Sequence, residues 1–126
     1  MESKKQKILI IDDDIDIIVL LKRYLEKAGY EVVSAANGID GITKAGSECP
    51  DLILLDIELP EMSGHQVGIF LQKEFPDIPV MVLSSKTTPQ DVYKAEISGV
   101  VDYLAKSVDL NIVVSKVDSF FKSNCE

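Results

Sequence analysis

Five short runs of Ile, Val and Leu recur along the chain, at residues 8–11, 32–33, 52–55, 80–83 and 100–104. Short apolar runs of this kind predict strands buried on both faces of a sheet, since a sheet with one wet face would alternate. The segments between them have helical spacing. Ile18, Leu21, Leu25 and Ala28 fall on one stripe, and Val113, Val114, Val117, Phe120 and Phe121 on another. Asp14, just ahead of the first stripe, predicts its N-cap. Thr88 before Pro89 predicts a further helix start, over residues 89–97, with Asp91 near its positive end. Residues 37–48 carry the weakest helical pattern, because Gly41 and Gly46 each cost about 1 kcal/mol relative to Ala. Gly29, Gly64 and Gly99 mark joints. Strand then helix, five times over and with no repeat or linker, predicts one α/β domain spanning residues 1–126, a parallel sheet with helices on both faces. Ligands of such sheets bind beyond the carboxyl ends of the strands.

Composition narrows the function classes. The chain has 13 Lys+Arg against 21 Asp+Glu, a formal net charge of −8, which removes a grip on nucleic acid phosphates as the default role. With 46% hydrophobic and 27% charged residues it can bury an ordinary globular core. Cys49 and Cys125 are the only cysteines and His65 the only histidine, so neither a disulfide framework nor a zinc site is present, and a reducing compartment is expected. Apolar runs are too short to span a membrane, and the charged start is followed by only Ile8-Leu-Ile-Ile11, too short for a signal peptide. A cytoplasmic protein is the expectation.

The predicted binding edge is where the polar residues stand. The first apolar run ends in Asp12-Asp13-Asp14, the third in Asp56, the fourth in Ser84-Ser85, and the fifth leads to Lys106. One N-cap needs only Asp14, which leaves Asp12 and Asp13 without a structural task. Asp56 follows four apolar residues, where an unpaired carboxylate is penalised by desolvation. If Asp12, Asp13 and Asp56 converge, each pair about 4 Å apart repels by roughly 4 kcal/mol at an effective dielectric of 20. A hard divalent cation offsets such repulsion, and Mg²⁺ suits a few carboxylates supplemented by waters and a phosphate oxygen. Lys106 adds a fixed positive charge, so that Asp12, Asp13, Asp56 and Lys106 together carry −3 + 1 = −2, and −6 remains for the rest of the chain.

Other site types fail on spacing. A calcium loop starting at Asp12 would put Ile17 where Gly is needed and Arg23 where the bidentate Glu belongs. Gly41-Ile-Thr-Lys-Ala-Gly46 has phosphate-loop glycine spacing but is followed by Ser47-Glu48 instead of Lys-Ser/Thr. Carboxylates after the first run would repel the phosphate of a flavin. His65, in a surface loop, reads as a helix-start residue.

The ordered set Ile8-Leu-Ile-Ile-Asp12-Asp13, Pro50-Asp-Leu-Ile-Leu-Leu-Asp56, Pro60-Glu-Met62-Ser-Gly64, Val80-Met-Val-Leu-Ser84-Ser85 and Gly99-Val-Val-Asp-Tyr103-Leu-Ala-Lys106 resembles the receiver domain of two-component response regulators, over essentially the whole chain. The resemblance implies a flavodoxin-like doubly wound fold of five βα units with strand order 2-1-3-4-5. It implies Asp56 as phosphoacceptor from a phosphohistidine on a sensor histidine kinase or a histidine phosphotransfer protein. Asp13, Asp56 and the Glu58 backbone carbonyl would ligate Mg²⁺, with Asp12 acting mainly through a bound water. Lys106 and the Ser84 hydroxyl would meet phosphoryl oxygens, small Ser85 would leave an approach path, and Ser84 and Tyr103 would form the switch. The face made by the fourth helix, fifth strand and fifth helix, about residues 88–122, would meet a downstream protein, and a homodimer is possible in the family.

Departures from that pattern add expectations. Where the family has Pro after its Lys, Ser107 stands here, and because a cis bond before a non-proline costs about 3–4 kcal/mol, a trans Lys106–Ser107 bond is expected. Glu58 and Lys86 have opposite charges and are expected to pair across the pocket. Two alternatives from other classes remain at this point: a metal-dependent phosphohydrolase with Asp12 as nucleophile and Asp14 as acid/base, and a receiver-like module that only binds. No effector fits within 126 residues.

Overall fold

Residues 5–59, 62–84, 100–106 and 109–123 are described by the computed structural model, with the side chain of His65 left out. The five apolar runs are strands β1 (Lys7–Ile11), β2 (Glu31–Ala35), β3 (Leu52–Asp56), β4 (Val80–Ser84) and β5 (Val100–Ala105). They form one sheet, all pairs parallel, in the order β2-β1-β3-β4-β5. Four helices lie among the described residues: α1 (Ile15–Lys27), α2 (Gly38–Glu48), α3 (Gly64–Glu74) and α4 (Leu110–Ser123). The architecture is the expected flavodoxin-like one. The helix expected at 89–97 with its Thr88 cap, and also Ser85, Lys86, Gly99, Ser107 and Cys125, lie outside the described residues.

Strand residues alternate between two cores, as a period of two requires. Ile8, Ile10, Leu52, Leu54, Met81, Leu83 and Leu104 pack under Ile18, Leu21 and Leu25 of α1 and Val113 and Val117 of α4. Leu9, Ile11, Ile53, Leu55 and Val80 pack under Ala45 of α2 and Val67 and Leu71 of α3. β1, β3 and β4 are thus covered on both faces. β5 departs from the expectation: it is an edge strand with only Leu104 buried, and a register irregularity opposite Val80 and Met81 leaves Val101 47% exposed. Asp102, which interrupts this run, is the residue that marks the strand as partly wet.

Asp14 caps α1, its carboxylate accepting from the N–H of Asp16 at 3.0 Å. Ala28 does not continue the buried stripe. It is the C-cap and is exposed, because Gly29 at φ 104° turns the chain and Tyr30 takes the buried place instead. The weakly patterned second helix is complete, with Asn37 accepting from the N–H of Asp40 at 2.8 Å. A Cβ on Gly41 would lie 2.5 Å from Ile11 Cδ1, so the glycine lets α2 settle onto β1, and packing overrides propensity.

Candidate functional site

β1 and β3 are adjacent and in register, Ile11 opposite Leu55, so the residues that follow, Asp12 and Asp56, emerge side by side at the carboxyl edge. Both are buried, while Asp13 is exposed. The three carboxylates can each offer an oxygen such that all lie within 4.8 Å of one another. β4 and β5 bring the cation. Ser84 pairs with Ala105, and the Ser84 carbonyl accepts the backbone N–H of Lys106 at 2.8 Å. That bond fixes the start of the lysine side chain at the edge of the sheet. Its Nζ then reaches 3.1 Å from Asp56 Oδ2, 3.1 Å from Asp12 Oδ2 and 3.2 Å from Asp12 Oδ1.

Each buried carboxylate is also held by its own turn. Asp12 Oδ1 accepts the N–H of Asp14 at 2.9 Å, and Asp56 Oδ1 accepts the N–H of Glu58 at 2.9 Å. These are aspartate side chains bonding two residues on, the common way such residues close a turn. The backbone N–H groups of Asp14 and Glu58 are the contributors that residue types alone did not mark. An aspartate at the end of a strand or directly after it is the signal that would have found them.

The charge balance is strained. Burial, opposed by the Asp14 N–H and reinforced by the neighbouring Asp56, pushes the Asp12 carboxyl up to about 6. For Lys106 burial works downward, but its hydrogen bonds to Asp12 and Asp56 outweigh it and raise the ammonium above its usual value. Asp12 Oδ2 is close to Lys106 yet receives no aligned hydrogen bond, a buried oxygen left over. A cluster of hard oxygen donors with one such oxygen and a formal charge of −2 is a set that fits a hard divalent cation such as Mg²⁺.

The remaining expected residues occupy nearby positions. Ser84 is fully buried at the end of β4. Tyr103 is half-buried on β5 and packs against the pair Val82 and Ile57, the latter next to Asp56. Glu58 is half-buried, whereas Lys86, its expected partner, and the Lys106–Ser107 bond lie outside the described residues. The Asp14 carboxylate is engaged as the α1 cap. No helix among the described residues is long and apolar enough to cross a membrane.

Comparison with known proteins agrees with this geometry. The response regulator receiver domain family matches residues 8–118. The transcriptional regulatory protein PrrA of Mycobacterium tuberculosis is 34% identical over 116 residues, which are 92% of this chain and 50% of that protein. The DNA-binding dual master transcriptional regulator RpaA of a Synechocystis strain is 39% identical over 118 residues, 92% of this chain and 49% of that one. The chain therefore spans about half the length of these curated relatives. Among solved structures, a two-component response regulator from Clostridium difficile superposes with a TM-score of 0.92 at 31% identity, covering 97% of this chain and 100% of that one. A CheY-like receiver domain from Methanospirillum hungatei gives 0.90 at 28%, covering 95% and 96%. Sequence, sheet order and the acidic strand-end cluster converge, and the chain belongs to the response regulator receiver domain family of two-component signalling proteins.

Proposed function

We propose that this chain accepts a phosphoryl group on Asp56 and changes conformation in response. The observation that carries the reading is the burial of Asp56 at the end of β3, with its carboxylate held by the Glu58 N–H and by Lys106 Nζ. An Asp56 oxygen attacks phosphorus in line as the bond from phosphorus to the donor imidazole nitrogen breaks, and the imidazole leaves with that electron pair. Such transfer depends on positioning and charge neutralisation more than on covalent help. Asp13, Asp56 and the Glu58 carbonyl, with Asp12 through a water, would hold Mg²⁺, which when bound supplies positive charge to the incoming phosphoryl oxygens. Lys106, already 3.1 Å from Asp56 Oδ2, is placed to follow an oxygen of the new group, and the Ser84 hydroxyl would take another.

The donor is a sensor histidine kinase or a histidine phosphotransfer protein, and the reaction is the domain's own modification and its reversal. The response is a population shift: contacts of Ser84 and Lys106 with the phosphoryl group favour an inward Tyr103, and with it an altered face over about residues 88–122 for a downstream protein or a second copy. Support for Tyr103 in this role is its packing against the small cluster of Val82 and Ile57, the latter one residue beyond Asp56. The hydrolase alternative has less support, since Asp14, its acid/base, spends its carboxylate on capping α1.

The test is intact mass after incubation with Mg²⁺ and acetyl phosphate. The reading expects one phosphoryl adduct that Asp56→Asn abolishes. No adduct, or an adduct that survives Asp56→Asn, refutes it, and one mapped to Asp12 would support the hydrolase instead.

A further inference from the structure

Resting on that reading, we propose that Gly64 is a positioning residue for the phosphoacceptor turn: the missing side chain at the start of α3 lets the helix seat directly on the backbone of Asp56 and Ile57. A Cβ built on Gly64 would lie 2.2 Å from Ile57 Cα, 2.6 Å from the Asp56 carbonyl oxygen and 2.8 Å from the Ile57 carbonyl carbon. All three are main-chain atoms of the residue that carries the reactive carboxylate and of the next one. Gly38 and Gly41 are also tight, but there the obstructing atoms belong to side chains and not to the main chain of the phosphoacceptor turn.

The contact closes a set of bonds around residues 56–58. The Ile57 N–H donates to the Leu83 carbonyl at 3.2 Å, tying the turn to β4. The Ile57 carbonyl accepts the N–H of Gly64 at 3.0 Å, tying it to α3. The Glu58 N–H is then left pointing at Asp56 Oδ1, 2.9 Å away. The helix end that presses on this turn is itself fixed by a reciprocal cap, Ser63 Oγ accepting from the Gln66 N–H at 3.2 Å and Gln66 Oε1 accepting from the Ser63 N–H at 3.3 Å. Neither side has slack. Any atom added at Gly64 moves the Ile57–Glu58 peptide, and with it the N–H that orients Asp56 and the Glu58 carbonyl expected to face the metal. Groups that must sit within about half an ångström of a productive geometry depend on such supporting contacts.

The experiment uses Gly64→Ala in the full chain, with Gly46→Ala as control, since a Cβ at Gly46 meets only the Phe75 ring, at 3.3 Å. Phosphorylation by acetyl phosphate is followed at saturating Mg²⁺, thermal unfolding is recorded, and amide NMR shifts of Glu58 are compared with those of α4. The expected result is a rate at least tenfold lower in Gly64→Ala, a moved Glu58 amide resonance, unmoved α4 resonances, and a Gly46→Ala rate within twofold of the parent. A folded Gly64→Ala with a rate within twofold and an unmoved Glu58 amide overturns the proposal. If Gly64→Ala does not fold, Ser63→Ala, which loosens the cap that seats the start of α3 on the turn, decides: a moved Glu58 amide with a slower rate supports the role, and an unmoved amide with an unchanged rate ends it. If the unaltered chain takes no phosphoryl group, the reading of Asp56 fails, while the Glu58 amide shift still reports on what Gly64 holds in place.

Discussion

Lys106 Nζ lies 3.1 Å from Asp56 Oδ2, joining residues 50 positions apart, and the same nitrogen is 3.1 Å from Asp12 Oδ2. One ammonium thus bridges two buried carboxylates at the ends of neighbouring strands. Removing one partner of a buried ion pair costs about 3–5 kcal/mol, because the remaining charge is stranded. In metal-free Lys106→Met the stranded groups are two like charges, and a stability loss of about 3 kcal/mol is expected at pH 7.5. Added Mg²⁺ should recover part of it by taking over the neutralisation. Urea unfolding with and without Mg²⁺ checks this, and a metal-free loss below about 1 kcal/mol would contradict it.

The same cluster sets a pH dependence. Asp12 is raised from 3.8 to about 6, so between those values the folded chain holds a proton that the unfolded chain has lost, and metal-free stability falls as pH rises through the window. Lys106 is raised too, so its contribution is fully present below its ordinary value and is lost only as pH climbs through the raised one. Asp12→Asn should therefore flatten the slope between pH 4 and 6 and stabilise the metal-free protein at pH 7.5 by up to about 3 kcal/mol. Stability curves of the two proteins across that pH range decide it; an unchanged slope rules it out.

Asp13 separates metal binding from folding. It is exposed, so Asp13→Asn should leave metal-free stability within about 0.5 kcal/mol of the parent. A ligand that binds only the folded state adds stability as its concentration exceeds its Kd. Millimolar Mg²⁺ should raise the Tm of the parent measurably and that of Asp13→Asn much less. Equal Mg²⁺ shifts in the two proteins would remove Asp13 from the ligand set.

Much of this was legible in the residues, for particular reasons. Strands buried on both faces need continuous apolar runs, so β1, β3 and β4 announce themselves, and a carboxylate directly after such a run stands out as costly. Asp12 and Asp56 were visible on that ground, and Lys106 by its place after the fifth run. What a linear pattern cannot carry is depth within the sheet. The fifth run groups with the third, yet Asp102 interrupts it and β5 is an edge strand, and Ala28 has the right spacing but falls at the cap. Nor does a pattern show main-chain donors, so the N–H groups of Asp14 and Glu58 had to come from the fold. α2 illustrates the converse: Gly41 lowers the helical signal because its missing Cβ serves the contact with Ile11.

That contact gives a sign test for propensity against packing. In an isolated helix Gly41→Ala would gain about 1 kcal/mol. Here the new methyl would stand 2.5 Å from Ile11 Cδ1 and 2.8 Å from Cγ1, and overpacking typically costs about 1–3 kcal/mol. A net loss is expected in urea unfolding, and because Ile11→Ala removes all three carbons that the new methyl would meet, the double variant should lose less than the sum of the two single losses. A stabilised single variant would show that α2 can lift off β1 without penalty.

Tyr30 extends the same reasoning to the far end of the sheet. Buried behind the Gly29 turn, it donates its hydroxyl to Asp118 Oδ1 of α4 and packs its ring 5.5 Å from that of Phe121. The bond ties the α1–β2 corner to the last helix. Burial first, then the Asp118 carboxylate, raise the phenol above its ordinary range, so above about pH 10 the unfolded chain ionises there while the folded one does not, and stability falls. Tyr30→Phe keeps the ring contact and loses the bond, at a cost of about 1.5–3 kcal/mol near pH 7 for a bond to a charged acceptor. Because Phe has no proton to lose, the gap between the two proteins should narrow as pH rises past 10. Paired unfolding curves at pH 7 and 10.5 measure it, and a gap that stays constant would mean that the fold does not hold the phenol neutral.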